Sequence, residues 1–444
     1  MRQDVQQDSH PENILDFGAR PNSGELCTAA IQAAIDQAGS GTVHIPAGEF
    51  LTGTINLKQA SLALEKGAVL KGSSDIADYT WNGYEHNELG KVYSLIYAFD
   101  ADNLCLSGEG TIDLNGDAFF QLDQPIVPIS KVNLTDRQLA ECTRKHDARP
   151  SQPLFFKNCH HMAVSGIRII NAPCWTLTFV ESSHLLIDRL TIDNSLILPN
   201  NDGIHLCGCQ HVVITGCNIS AGDDCIAVTG ITDWTIPCEN IVISNCILRS
   251  CSKAIAIGYM HSIVRNVLIN NVIILESNRG ISVMACHRSG LVENLSVNNV
   301  RIDTRIAAGN WWGNGEAFCV MATYHHNPYS TQPIPNHDFP VNIRNVSFSN
   351  LQCTVENALA IIGEDDNIAD IRLINLAVAL KPSENKAVKG NRIDLSPGPQ
   401  EAALPDDGRP YWLYLSQAHR VTLENIWISP FDGLVPEIYR PDQD

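Results

Sequence analysis

Apolar residues in this chain recur in short, regularly spaced patches. A pattern of apolar, any, Gly or Asn, apolar, any, apolar appears as VSGIRI from Val164, ITGCNI from Ile214, ISNCIL from Ile243 and INNVII from Ile269. It continues as VNNVRI from Val297, FSNLQC from Phe348, LINLAV from Leu373 and LENIWI from Leu423. IDRLTI from Ile187 fits with Arg189 in the polar slot. Successive starts lie 23, 27, 29, 26, 28, 51, 25 and 50 residues apart. Alternating β-branched residues predict strands, and a period in the twenties predicts that the strands stack coil on coil. Gly or Asn at a fixed corner supplies the bridging or left-handed backbone that a coil needs to turn. The expectation is an all-β, right-handed parallel β-helix in which each coil buries its inward side chains on its neighbours. Asn245, Asn271, Asn299, Asn350, Asn375 and Asn425 are expected to stack as a ladder at one corner. A leucine-rich repeat has a similar period, but its leucine-dominated consensus is absent. The two long gaps would each hold an extra coil or one large loop.

The pattern also marks the ends and interruptions of a single domain spanning 1–444. A helical stretch around 26–38 and a strand opening at Thr42 read as an N-terminal cap, with cap and first coils over about 14–60. Repeat folds need such a cap to close the exposed end of the core. Residues 117–153 and 305–340 break the rhythm and are rich in proline and polar residues, so they are expected to be long loops walling a groove. Residues 400–444 are expected to form a C-terminal coil or tail.

Composition then narrows the partners. A formal net charge of −19 argues against nucleic acid and anionic membrane surfaces. No window approaches the run of about 18 apolar residues of a membrane-spanning helix. The opening MRQDVQQDSHPENILDFGAR lacks the apolar region of a secretory signal, so the expectation is cytoplasmic, or secreted or periplasmic if a signal was removed. Of the 15 cysteines, Cys207, Cys217, Cys225 and Cys246 fall in strand-like runs, where a thiol behaves as a small hydrophobe. Neither Cys207 with Cys209 nor Cys246 with Cys251 has zinc-ribbon spacing, and reduced core thiols are expected. Oligomeric state is left open.

The chemistry concentrates on two consecutive coils. NNDGIH carries Asp202, and AGDDC brings Asp223 and Asp224 some 21 residues later, about one coil on. Asp202 should therefore lie one strand spacing, ~4.8 Å, from the double aspartate. Three crowded carboxylates raise at least one pKa, leaving one as acid and another as base. Glycoside hydrolysis requires that division. Clustered carboxylates also suit calcium, as in β-helical lyases, and a lyase, an epimerase or a non-catalytic carbohydrate-binding β-helix are the competing readings.

At these residues the sequence resembles glycoside hydrolase family 28, the polygalacturonase and rhamnogalacturonase family of right-handed β-helices. NND from Asn200 matches its N-T-D motif and GDD from Gly222 its G-D-D, while DFGA, IPAGEF and VLKGS resemble its opening coils. The resemblance implies an inverting, metal-free and cofactor-free glycosidase acting on a pectin-related or other plant or microbial oligosaccharide. Asp223 would be the general acid, with Asp202 and Asp224 activating water. Two family motifs are replaced. SKAIAIG puts Lys253 in the histidine position of G-H-G, and RGISVMA puts Ser282 and Met284 in the arginine and lysine positions of R-I-K. In the family that cationic pair is associated with gripping the substrate carboxylate. Lys253, Arg279 and His205 are the candidates to contact substrate in its place, with Trp311, Trp312 and Glu316 of WWGNGE as an aromatic platform beside a carboxylate. Long loops closing one end of the groove predict exo action. His325 and His326, adjacent in YHHNP, read as loop rather than as a metal site.

Overall fold

The computed structural model describes residues 12–127, 134–231, 233–325, 334–397 and 401–441. Its strands pair in parallel as successive coils, forming one sheet of 20 strands and one of 12, beside three small two-stranded sheets. The 12-stranded sheet makes one wall of the helix. The larger sheet bends around a corner to make the other walls. In the later coils a single strand crosses that bend, as in Ile263–Ser277, Leu291–Thr304 and Ile343–Val355. The bend falls on Asn245, Asn271, Asn299, Asn350, Asn375 and Asn425, each with φ between 53° and 56°. Asparagine tolerates this left-handed backbone better than most side-chain-bearing residues.

The predicted ladder forms at that corner. The Asn271 amide donates to Asn245 (3.3 Å), Asn299 to Asn271 (2.8 Å), Asn375 to Asn350 (3.0 Å) and Asn425 to Asn375 (2.7 Å). Asn350 instead donates to Asn298, at 2.7 Å. A second ladder, not anticipated, runs along another corner from Asn240 through Asn266 and Asn294 to Asn345, at 3.0, 3.0 and 2.8 Å. Lower in that column His161, His184 and His211 stack their rings at 4.8 Å.

The core is one continuous column of apolar side chains. The helix Thr28–Ala38 covers its first end, burying Ile31, Ala34 and Ile35, and the next strand opens at Thr42. All cysteines are free, and Cys207, Cys217, Cys225 and Cys246 are buried as apolar packing. No described helix is long and apolar enough to cross a membrane.

Both long gaps hold enlarged coils rather than extra ones, because Leu291–Thr304 pairs directly with Ile343–Val355 and Ile368–Leu380 with Ala418–Ile428. The segment 305–340 is not one loop, since Glu316–Ala322 inside it is a strand of the 12-stranded sheet. Its apolar run EAFCVMA is wholly buried, and the WWGNG preceding it belongs to a shorter connection. His326 of the YHHNP motif lies outside the described residues. The insertion 117–153 carries a hairpin, Phe120–Pro125 with Arg144–His146, and a short helix Asp136–Ala140. The second long gap, between Leu373 and Leu423, is filled by an insertion after Leu380 that carries the turn Lys386–Lys389 and a hairpin of Arg392–Asp394 with Glu401–Ala403. Within 400–444, Tyr411–Ser416 and Ala418–Ile428 form a coil, and Glu437–Tyr439 adds the final strand of the 12-stranded sheet.

Candidate active site

Register explains how distant motifs meet. In the 12-stranded sheet Leu177, Ile204, Ile226, Ile255, Ile281 and Phe318 are aligned partners on successive coils. Two residues ahead of each stand Trp175, Asp202, Asp224, Lys253, Arg279 and Glu316, which therefore form one column along the sheet edge. The backbone ties the first of these coils together: Gly203 N–H donates to the Asp224 carbonyl at 2.8 Å, and Cys225 N–H to the Lys253 carbonyl at 3.1 Å.

Asp223 sits beside this column rather than in it, and both it and Asp224 line a cleft of about 190 Å³ together with Asp202. Buried Asn201 holds the turn by accepting from Gly222 N–H at 2.7 Å and Asp223 N–H at 3.1 Å, while donating to the Ser195 carbonyl at 2.7 Å. Gly222 is needed for closeness, not for a left-handed turn. A Cβ there would lie 2.4 Å from the Leu198 carbonyl and 2.8 Å from Asn201 Oδ1. Arg149, from the 117–153 insertion, fastens the preceding motif by donating to the Pro199 carbonyl at 2.8 Å and Asn200 Oδ1 at 3.0 Å.

Burial sets the electrostatics. Asp202 and Asp224 are nearly inaccessible, and loss of water pushes both carboxyls well above the usual range; the charge of Asp223 adds to this and that of Lys253 opposes it. The buried pair therefore holds protons more tightly than isolated carboxyls would. Lys253 is 2% exposed, with Nζ 3.1 Å from Asp224 Oδ1 and 4.1 Å above the Trp312 ring. His205 Nδ1 lies 3.1 Å from Asp202 Oδ2 and its Nε2 3.1 Å from Thr229 Oγ1. Burial pushes this imidazole down to about 3, so it is neutral. Trp175 stacks on it at 3.8 Å. Asp202 Oδ1 is buried without a hydrogen-bond partner among the described residues, open to a proton, water or substrate. No three described His, Cys, Asp or Glu side chains converge as a metal site.

The remaining sequence candidates divide. Lys253, His205, Trp311 and Trp312 line the cleft. Arg279 and Glu316 do not, because they are fully buried against each other, with Arg279 Nε 3.1 Å from Glu316 Oε2 and Nη2 3.2 Å from Oε1. Arg279 Nη2 also donates to the Asp394 carbonyl at 2.6 Å. The pair cannot meet a sugar, and Glu316 is no companion to an aromatic platform. Trp311 is mostly a wall residue, packed with Cys251 and Ala307 and donating from Nε1 to the Glu141 carbonyl at 2.8 Å. Trp312 alone of the two lays its face toward Lys253.

Several lining residues were missed. Trp175 was legible from register with Asp202. Glu88 and Tyr259, linked by a side-chain hydrogen bond, were not, because Glu88 arrives from the hairpin Trp81–His86 and Gly90–Tyr93 far away in sequence. Glu141 knits the walls: it accepts from Arg305 Nη1 at 2.8 Å, Ala308 N–H at 2.9 Å and Asn385 Nδ2 at 3.3 Å. Asn385 also donates to the Ile306 carbonyl at 2.6 Å, so three insertions meet at one point.

Comparison with known proteins agrees with this architecture. A probable polygalacturonase of Vitis vinifera is 26% identical over 431 residues, covering 90% of this chain and 82% of the relative. Among solved structures, an exopolygalacturonase from Thermotoga maritima superposes with a TM-score of 0.68 at 21% identity, over 94% of this chain and 91% of its own. A family 28 exopolygalacturonase from Yersinia enterocolitica gives 0.67 at 18% identity, over 97% and 78%. At those identities the superpositions speak for the fold, a pectin-lyase-like β-helix. The sequence model of Glycosyl hydrolases family 28 matches residues 36–391, and the chain belongs to that family of glycoside hydrolases.

Proposed function

We propose that this hydrolase inverts the anomeric centre and releases a terminal sugar from a pectin-related oligosaccharide, with Asp223 as general acid and Asp202 with Asp224 activating water. The reading rests on one observation: Asp202 and Asp224 are register partners on adjacent coils, Asp223 shares their turn, and all three line one cleft. Asp223, the most accessible of the three, delivers its proton to the leaving oxygen as the glycosidic C–O bond breaks. Water enters on the opposite face of the ring and gives its proton to the buried pair. That base must be ionised, and the Lys253 ammonium beside Asp224 favours the ionised form. Pectin as the source of substrate is taken from the relatives' names, polygalacturonase and exopolygalacturonase. Exo action is supported by the three insertions that meet at Glu141 and Asn385, two of which bring Thr143, Asn310, Trp311 and Trp312 to the cleft.

Asp223→Asn should lower turnover by about a thousandfold or more while leaving the circular dichroism and melting curve unchanged. Time-resolved proton NMR of the wild-type digest should show the inverted anomer first. Turnover near the wild-type rate in Asp223→Asn, or an unsaturated product, would sink the assignment.

A further inference from the structure

We propose that the sugar ring bound beside the aspartates is uncharged, and that the cleft rejects a uronic acid at that position. The inference rests on the hydrolase reading above and adds the charge class of the substrate.

The lining is rich in acceptors. Glu88, Asp202, Asp223 and Asp224 face the cleft, and Lys253 is the single basic side chain among its described lining residues. Even with one of these four carboxyls protonated, carboxylates outnumber the lysine. Nor is Lys253 at liberty: it is buried, held at 3.1 Å from Asp224 and seated over Trp312. A substrate carboxylate would have to pull it from that pair and leave Asp224 buried without its counter-charge.

The neighbouring arginines are committed elsewhere. Arg279 is spent on Glu316 and the Asp394 carbonyl, Arg149 on Pro173, Pro199 and Asn200, and Arg305 on Glu141. Of the two positions that carry cations in the resembled motif, Ser282 is fully buried, and Met284 lines the cleft together with Ala256 and Ile231. An anion placed there meets methyl and thioether groups instead of donors.

A neutral sugar meets complementary chemistry. Its hydroxyls bring the donors that carboxylates need, and its C–H faces can lie on Trp175, Tyr259 and Trp312. A uronate brings another acceptor into a cleft that already has an excess of them. Like charges set together in such a site repel strongly, because little water remains there to screen them.

The test isolates charge at constant shape. Binding of D-galacturonic acid, its methyl ester and a panel of neutral methyl pyranosides is measured at pH 6 by ligand-observed NMR, on wild type and on Asp223→Asn. The methyl ester and the best of the neutral pyranosides should each bind at least about tenfold more tightly than the free acid. Met284→Lys should move the acid-to-ester affinity ratio about tenfold toward the acid, and Met284→Gln, checked for folding in parallel, should not. Free acid bound as tightly as its ester, or no neutral ligand bound more tightly than the acid, overturns the proposal. The two readings fail separately. Uronate release that Asp223→Asn abolishes removes the charge class and keeps the hydrolase. A tenfold preference for the ester with full turnover in Asp223→Asn does the reverse.

Discussion

At the residue scale the site is a contest between burial and charge. Asp202 and Asp224 sit almost out of reach of water, which favours their protonated forms, and Lys253 is the nearby cation that favours ionisation. The base works only when ionised, so activity should rise with pH through a value above the ordinary carboxylate range of about 4. Removing the lysine should move that limb further up. Lys253→Met is expected to shift the acidic limb of kcat/KM to higher pH and lower kcat/KM at pH 5 about tenfold or more, with Lys253→Arg intermediate. An unchanged limb in Lys253→Met would mean that the ion pair with Asp224 has no part in the titration. The three aspartates were legible in the sequence because one coil separates their motifs. Arg279 was misread for a physical reason. Its place in the column put it next to Lys253, but Glu316, one coil further on, takes up its guanidinium.

At the scale of elements, regular coils place the chemistry and irregular insertions shape it. The repeat predicted the strands, and the cap predicted over 26–38 is the helix Thr28–Ala38, because the period-two and capping signals are local. The insertion after Leu380 showed in the sequence only as a gap of 50 residues, with nothing local to say what it touches. Asn385 and Asp394 brace the site through partners more than 70 residues away, Ile306 for one and Arg279 with Gly313 for the other. If Glu141 braces the walls, Glu141→Ala should lower the melting temperature and raise KM several-fold while kcat changes less than about twofold. The cause is that Ala308 N–H and the Arg305 guanidinium lose their acceptor, at about 1–3 kcal/mol for a buried donor. Steady-state kinetics on an oligosaccharide that the wild type hydrolyses, with a thermal melt, would check this. A fall confined to kcat would place Glu141 nearer the chemistry than the geometry does.

For the whole molecule, pH couples the site to the fold. His86, which accepts from Glu88 N–H at 3.1 Å, meets Trp175 edge-on at 4.9 Å, and Trp175 stacks on His205. Burial pushes both imidazoles down to about 3. Unfolded, each takes up a proton near its ordinary value of about 6.5. The unfolded chain therefore binds more protons between those values, and stability falls as pH drops from about 6.5 toward about 3, by on the order of 4 kcal/mol per histidine. Asp202 and Asp224 act in the opposite sense, since their raised carboxyls stabilise at acid pH and lose that contribution as pH climbs. His86→Gln, outside the carboxylate cluster, isolates the first effect: the melting temperature should decline less steeply between pH 6.5 and 4 than in wild type. An equal slope would show that His86 titrates normally in the folded chain. What the sequence alone determined was periodic: the coil, the cap, the corner asparagines and the three aspartates one turn apart. Each follows from spacing and side-chain size, which act between neighbours in the chain or one coil away. Only the tertiary structure decided which cations stay available, because that depends on which carboxylate reaches each first. It sealed Arg279 inside the protein and held Lys253 on Asp224, leaving a cleft whose charge no local pattern reveals.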